Sequence, residues 1–231
     1  MSNFNLSIVL PVYNDEKTIK LMVDKIIKQV KPGLNNLEII IVENGSFDDT
    51  SRICDKLADD YPEVTVLHHQ TNLGYGRTLR DGFNKASNEI VFYADGDDQY
   101  NLNEILKALE IFKQQGADSL IGYRFSRKDG INRIIMSKVY NLLAFLMLGI
   151  RAKDINCSFK IIRKKILNNL NLSSESAFID AEILYELKNQ KANVIEMPVT
   201  HYPNIYRKSH FTNPKLTLDM LNELFKKRCN F

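Results

Sequence analysis

The alternation of short apolar runs with helix-periodic segments constrains this chain more than any other feature. FNLSIVL (Phe4–Leu10) is a brief run with β-branched residues, and Pro11 ends it. Ile19, Met22, Val23, Ile26, Ile27 and Val30 then recur at helical spacing until Pro32-Gly33. LEIIIV (Leu37–Val42) is apolar throughout, as expected of a strand covered on both faces. Asp48 or Asp49 can cap a helix reaching about Asp60, and VTVLH (Val64–His68) reads as a third strand. A helix follows from about Gly76 to Ala86, then the strand EIVFYA (Glu89–Ala94). Leu102, Ile105, Leu106, Leu109 and Phe112 mark another amphipathic helix before a strand near Asp118–Tyr123. This pattern predicts an α/β fold: a mostly parallel, doubly wound, Rossmann-like sheet with right-handed crossovers and helices on both faces. The second half is less regular, with a helix at 131–149, an apolar segment at 159–162, a helix at about 179–190 and a strand at 193–197. No repeat, linker or composition break divides the chain, so a single domain over 1–231 is expected, with halves at 1–123 and 124–231.

Composition narrows the classes. With 44% hydrophobic and 26% charged residues over 231 positions, disordered, collagen-like and disulfide-scaffold chains are excluded. Cys54, Cys157 and Cys229 match neither zinc spacing nor a disulfide framework, and a reducing cytoplasm is the expectation. The start of the chain has no basic stretch followed by an apolar one, so no secretory signal is expected. Net charge is +3, yet from residue 204 onward six Lys/Arg face two acids, a local +4 that leaves −1 for the rest. A basic end suits an anionic lipid surface or a phosphorylated substrate; equally, it suits a solvated helix face. In Ile131–Ile150, Arg133 and Lys138 interrupt the apolar run, leaving only Val139–Ile150 uncharged. That is short of the roughly 20 residues a spanning helix needs, so the segment is expected to be a buried or interfacial helix, with any membrane contact peripheral or through a membrane partner. No basic–aromatic stripe suggests nucleic-acid binding.

Polar residues cluster immediately after the predicted strands: Pro11–Glu16, Glu43–Thr50, Asn72–Gly76 and Asp95–Tyr100. In a doubly wound sheet these segments converge on the edge where ligands bind. Crowded carboxylates at Asp95, Asp97 and Asp98 call for a compensating cation, and Mg²⁺ or Mn²⁺ commonly combines a few carboxylates with substrate phosphates. Gln99 adds a neutral oxygen ligand. The competing account is a solvated acidic turn that caps the next helix. Glu43 and Asn44 can hydrogen-bond a base and ribose, with Pro11 and Tyr13 as a flat wall; turn chemistry alone would also explain Asn44-Gly45-Ser46. The G-x-G-x-x-G pattern of dinucleotide folds is absent.

SIVLPVYNDEKTI, VENGSFDDT, NLGYGRTLRDGF and VFYADGDDQY, in this order, resemble the family 2 glycosyltransferases of GT-A fold. DINCSFKIIRKK (Asp154–Lys165), AFIDAEIL (Ala177–Leu184) and IEMPVTHYPNIYRKSHF (Ile195–Phe211) extend the resemblance to the dolichol-phosphate or polyprenyl-phosphate mannosyltransferase-like branch. It implies inverting, metal-dependent transfer from a nucleoside-diphosphate sugar, GDP-mannose or a UDP-sugar, to a lipid phosphate. A hydroxyl of a glycan or small molecule is the alternative acceptor, and a non-catalytic nucleotide-sugar-binding protein is a further alternative. By resemblance, 1–123 is the donor half and 124–231 the acceptor half. Pro11, Tyr13, Glu16, Glu43, Asn44 and Asp95 fall to the donor; Asp95, Asp97 and Gln99 to the metal and diphosphate; Arg124, Arg133 and Ser137 to the acceptor phosphate. The chain departs from the family pattern HYPRxYGxSQF by carrying Asn204 and Arg207, and Arg207 with Lys208 is assigned to the diphosphate.

A lipid phosphate has a second pKa of about 6 and needs no general base. A hydroxyl acceptor would need one, and Asp180 or Glu182 is the candidate beside Asp97 for the catalytic set. Acids favourably placed at a helix N-terminus account for both equally well.

Overall fold

The computed structural model describes residues 4–125, 131–203 and 214–229, with side chains at 4–125, 134–203 and 218–227. In chain order the strands are β1 (Asn5–Val12), β2 (Asn36–Glu43), β3 (Val64–His68), β4 (Ile90–Tyr93), β5 (Ser119–Arg124), β6 (Lys160–Arg163) and β7 (Val194–Val199). Among the described residues they form one sheet, ordered β3-β2-β1-β4-β6-β5-β7. Pairing is parallel between β1 and β2, β2 and β3, β1 and β4, and β5 and β7. β6 runs antiparallel to both β4 and β5.

Strand pleating distributes the core. Leu6, Ile8, Leu10 and Val12 of β1 face one layer, and Val9 faces the other. The first layer contains α1 (Ile19–Lys25), α2 (Thr50–Asp60) and α4 (Glu104–Gln114), through residues such as Met22, Leu57 and Phe112. The second contains α3 (Tyr75–Lys85), α5 (Ile131–Leu148), α7 (Ile179–Asn189) and α8 (Pro214–Cys229), through Leu79, Ala144, Ile183 and Leu224. A short α6 (Lys164–Leu167) continues directly from β6. Helices thus cover both faces, as the uninterrupted apolar strands require.

Local boundaries follow residue chemistry. α1 loosens into a π turn at Ile26–Val30 and a 3₁₀ turn at Lys31–Gly33, where Pro32 removes a backbone donor. At the start of α2, Asp49 holds the N-cap position, but it is Asp48 whose carboxylate accepts the Thr50 N–H at 3.0 Å. The apolar segment at 159–162 becomes the antiparallel β6, wedged between β4 and β5. Its direction could not be read from the sequence, because a buried strand is apolar whichever way it runs.

Strand order reverses about β1: β2 and β3 lie on one side, β4 on the other. Ligands sit outside the carboxyl ends of strands at such a switch point. α3 crosses close beneath it at Gly82, where a Cβ would come within 2.4 Å of Val9 Cγ1 and 3.0 Å of Val42 Cγ2. Gly82→Ala is therefore expected to lower the unfolding free energy by about 1–3 kcal/mol through overpacking, despite alanine's better helix propensity. Urea denaturation at unchanged m-value checks this, and a stabilised variant would refute the close approach.

Candidate functional site

Backbone hydrogen bonds gather the strand ends. The Gly96 N–H donates to the Pro11 carbonyl (3.3 Å), and the Asn44 N–H donates to the Val12 carbonyl (3.0 Å). The ends of β1, β2 and β4 are thereby adjacent. Gly96 is required by this approach, since a Cβ there would lie 2.5 Å from Val12 Cγ1. The loop after β1 is laced to that after β2: the Asn14 N–H donates to Ser46 Oγ (2.9 Å), the Asp15 N–H to Thr50 Oγ1 (2.8 Å) and the Asp49 N–H to Glu16 Oε2 (3.2 Å). Tyr13 is half-buried and packs edge-on to Phe47, with ring centroids 6.0 Å apart.

Glu43 and Asn44 are both buried. Glu43 Oε1 accepts the Ser46 N–H (2.6 Å), and His68 Nδ1 lies 3.6 Å from Glu43 Oε2. Asn44 Oδ1 accepts the Leu73 N–H (2.9 Å) and its Nδ2 donates to Asn72 Oδ1 (3.1 Å), which fixes the amide orientation. His69 bridges Asn44 Oδ1 (2.9 Å) and Asp81 Oδ2 (3.0 Å), and sequence reasoning did not single it out. Asn44 therefore clasps the loop after β3 against the loop after β2. A side chain that joins two loops through tertiary contacts leaves no spacing signal.

The acidic turn separates its members. Asp95 Oδ1 accepts the Tyr75 hydroxyl (2.8 Å) and Oδ2 the Ser158 hydroxyl (3.0 Å), so neighbours on two other elements orient the carboxylate. Burial, then the nearby Asp95 and Asp180 carboxylates, push the Tyr75 hydroxyl well above the usual tyrosine range, which keeps it a donor. Asp97 is buried beside it, and its Oδ1 accepts the Gln99 N–H (3.3 Å). Gln99 Nε2 donates to the Tyr202 carbonyl (2.8 Å), and the Tyr202 N–H returns a bond to the Gln99 carbonyl (2.7 Å), pinning the turn to the residues after β7. Asp98 leaves the group: at φ +57° its carboxylate reaches Lys25 Nζ at 2.5 Å. No cluster of three or more His, Cys, Asp or Glu suited to a metal occurs among the described residues. Asp95, Asp97 and Gln99 stay on one turn at the end of β4, and carboxylate and amide oxygens are the hard donors that Mg²⁺ or Mn²⁺ takes together with phosphate oxygens. A groove lined by Arg77, Arg80, Asn84, Asn168 and Leu170 is lined by none of these residues.

Three of the expected site residues are engaged in pairs within the protein. Arg124, given to the acceptor phosphate by resemblance, donates from Nε and Nη2 to Asp154 at 2.6 and 2.8 Å, and both side chains are buried. Burial is the largest single influence and opposes that charge, but the Asp154 hydrogen bond and the charges of Tyr100, Asp154 and Cys157 together outweigh it and raise the Arg124 pKa. Asp180, expected as a candidate base, is buried in an ion pair with Lys160 and accepts the Tyr93 hydroxyl (2.7 Å). Burial raises its pKa against the pull of Lys160. Lys160 is wholly buried and also donates to the Ile155 (3.0 Å) and Cys157 (2.6 Å) carbonyls. Glu182, the other candidate base, is spent on the Ser173 and Ser174 N–H groups (3.0 and 2.9 Å) and on Lys227 (3.0 Å). These two acids brace α7 and present no exposed carboxylate. Ser137 is half-buried on α5. The side chain of Arg133, and Asn204, Arg207 and Lys208 entirely, lie outside the described residues.

Comparison with known proteins gives this arrangement a context. The model described as "Glycosyl transferase family 2" matches residues 7–170, well over half the chain. Dodecaprenyl-phosphate galacturonate synthase of Rhizobium johnstonii is 26% identical over 97% of this chain and 68% of its own. Polyprenol monophosphomannose synthase of Mycolicibacterium smegmatis is 25% identical over 84% of this chain and 76% of its own. An undecaprenyl-phosphate 4-deoxy-4-formamido-L-arabinose transferase of Pectobacterium carotovorum is 28% identical, and this chain spans 64% of its length. Among solved structures, glucosyl-3-phosphoglycerate synthase from Mycobacterium tuberculosis, in complex with Mn²⁺, UDP and glucosyl-3-phosphoglycerate, superposes with a TM-score of 0.74 at 16% identity, over 99% of this chain and 81% of that one. A mannosyltransferase from Pyrobaculum calidifontis with GDP-Man and Mn²⁺ gives 0.70 at 16% identity, over 100% of this chain and 65% of that one. These two likenesses establish the fold.

The buried pair generates a stability test. Lys160→Met strands the Asp180 carboxylate and should cost about 3–5 kcal/mol in urea unfolding. Adding Asp180→Asn should recover most of that loss, and a double variant as unstable as the single one would exclude the pairing.

Proposed function

This chain belongs to glycosyltransferase family 2, and on that footing we propose that it moves a sugar, with inversion, from a nucleoside-diphosphate donor to a polyprenyl phosphate. One observation carries the reading: Asp95 and Asp97 are held at the switch point of the sheet, beside the Glu43–Asn44 clasp and Tyr13. The names of its polyprenyl-phosphate relatives support the acceptor class. Asp95, Asp97 and Gln99 would hold Mg²⁺ or Mn²⁺, which when bound neutralises charge on the departing diphosphate.

The protein's own groups set the geometry. Tyr75 and Ser158 fix the direction of the Asp95 carboxylate before donor arrives, so little reorganisation is left for the reaction. Pro11 and Tyr13 offer the nucleoside a wall at the end of β1, and Glu16 and Glu43 hold the loops that form it. Arg207 and Lys208 are assigned to the diphosphate by their motif, and Arg133 and Ser137 to the acceptor phosphate. Those two lie four residues apart, on one helical face. An acceptor phosphate is ionised above about pH 6 and is itself the nucleophile. No side chain has to remove a proton, which agrees with Asp180 and Glu182 being committed to buried ion pairs. Association with a membrane face, where such an acceptor resides, belongs to the same proposal.

Asp97→Asn should reduce metal-dependent transfer by about 10²-fold or more and abolish the Mn²⁺-dependent thermal stabilisation by a GDP- or UDP-sugar. Unchanged turnover would exclude the assignment. Arg133→Ala should raise the acceptor KM about tenfold, the loss of a charge-assisted phosphate contact, and leave donor stabilisation unchanged. Steady-state kinetics with a short-chain polyprenyl phosphate decides this, and an unaltered KM would remove Arg133 from the acceptor site.

A further inference from the structure

α5 and α8 pack against each other in the second helical layer and bury Tyr140, Ala144 and Leu148 on one and Met220 and Leu224 on the other. Their outer sides are unusually apolar. At about 100° per residue, Ile135, Lys138, Val139, Leu142, Phe145 and Leu146 share an arc of about 120° on α5, opposite its buried residues. The five apolar members are 41% to 62% exposed. On the packed neighbour α8, Leu218 (58%) and Phe225 (54%) are exposed as well. These seven are half of the large hydrophobic side chains exposed among the described residues, so the concentration is not the usual scatter of single surface apolars.

We propose that this α5/α8 face docks on an anionic lipid bilayer. The inference rests on the reading of the acceptor as a polyprenyl phosphate and deepens it by naming the surface that would meet the lipid. Charge selects the occupant. Lys138 is exposed toward one edge of the arc, α5 contains no Asp or Glu, Arg151 sits over the Phe145 ring at 5.6 Å, and Lys226, next to Phe225 in sequence, is exposed. On α8, Glu223 bonds inward to Ser174, and Asp219 is half-buried. A second copy seated symmetrically on this face would bring basic groups to both sides of the contact, with no acid on either α5 to receive them. A bilayer with anionic headgroups instead takes the apolar side chains into its acyl boundary and pairs the lysines and arginine at headgroup level. The placement suits the chemistry: β5 runs parallel to β1 and β4 by way of the antiparallel β6, so its carboxyl end shares the edge of the acidic turn. α5 begins seven residues beyond Arg124, the last residue of β5.

Flotation of the full chain with phosphatidylglycerol/phosphatidylcholine vesicles tests the proposal. Wild type should float with the mixed vesicles and weaken, without vanishing, between about 0.05 and 0.5 M salt. Leu142→Glu with Leu146→Glu should reduce binding about tenfold or more, and Lys138→Glu about fivefold. Both variants alter exposed side chains, so their melting temperatures and their thermal stabilisation by the donor should match wild type. Equal flotation of the double variant, or no flotation at any salt, overturns the proposal. So does a wild-type dimer in light scattering that the double variant converts to monomer. If flotation fails while donor and Mn²⁺ still stabilise the chain, the docking surface falls and the transferase reading stands. Loss of donor stabilisation with flotation intact gives the converse.

Discussion

Hydrogen bonding of β1 on both edges is the constraint on which the rest of the structure depends. Because β2 and β4 both pair with it in parallel, three carboxyl ends emerge side by side, with Val9 opposite Tyr93 and Val12 opposite Glu43. The carbonyls of Pro11 and Val12 then receive the N–H groups of Gly96 and Asn44, and the acidic turn and the Glu43–Asn44 clasp become neighbours. A different order of the same strands would leave the same polar segments on separate sides of the sheet. The convergence is thus a property of topology, and the polar residues exploit it.

Around that hub, polar groups are oriented before any ligand is considered. Asp95 is held by hydroxyls from α3 and from the residue two before β6, and Asn44 by amide, imidazole and backbone partners. The second half of the chain uses charge differently. Lys160–Asp180, Arg124–Asp154 and Lys227 with Glu182 and Glu186 place ionised groups where water is largely excluded. Each ion meets an opposite charge, and Lys160 and Glu182 meet backbone partners as well, which is the condition for tolerating such burial. Groups so committed serve architecture. The acids once expected to deprotonate an acceptor instead hold α7 and the loop at 173–174, an arrangement suited to an acceptor that arrives already ionised.

The first half was legible because its signals are local. Apolar runs at Leu37–Val42 and Val64–His68 lie within or match β2 and β3, and the polar residues after each strand fall at the sheet's edge. The helix over 131–149 was legible too, but its role was split between core and interface. The structure divides the helix between two surroundings: Tyr140, Ala144 and Leu148 are buried, and Leu142 and Leu146 are exposed. The setting of Arg124 was not legible, because a motif position says what a residue type suits, and cannot say that Asp154, thirty residues on, pairs with the guanidinium. The same holds for Asp180, whose partner Lys160 sits on a strand that the sequence disclosed only as an apolar segment.

By itself, the sequence determined the α/β class, the order of elements and the residues delivered to the ends of the strands. Those properties depend on periodicity and on chemistry within a few neighbours, which a linear reading contains. Only tertiary structure decided the antiparallel insertion of β6, the departure of Asp98 toward Lys25, and which acids are taken into interior ion pairs. Pairing partners distant in sequence settle such outcomes, and the free energy of a buried charge depends on what surrounds it in space.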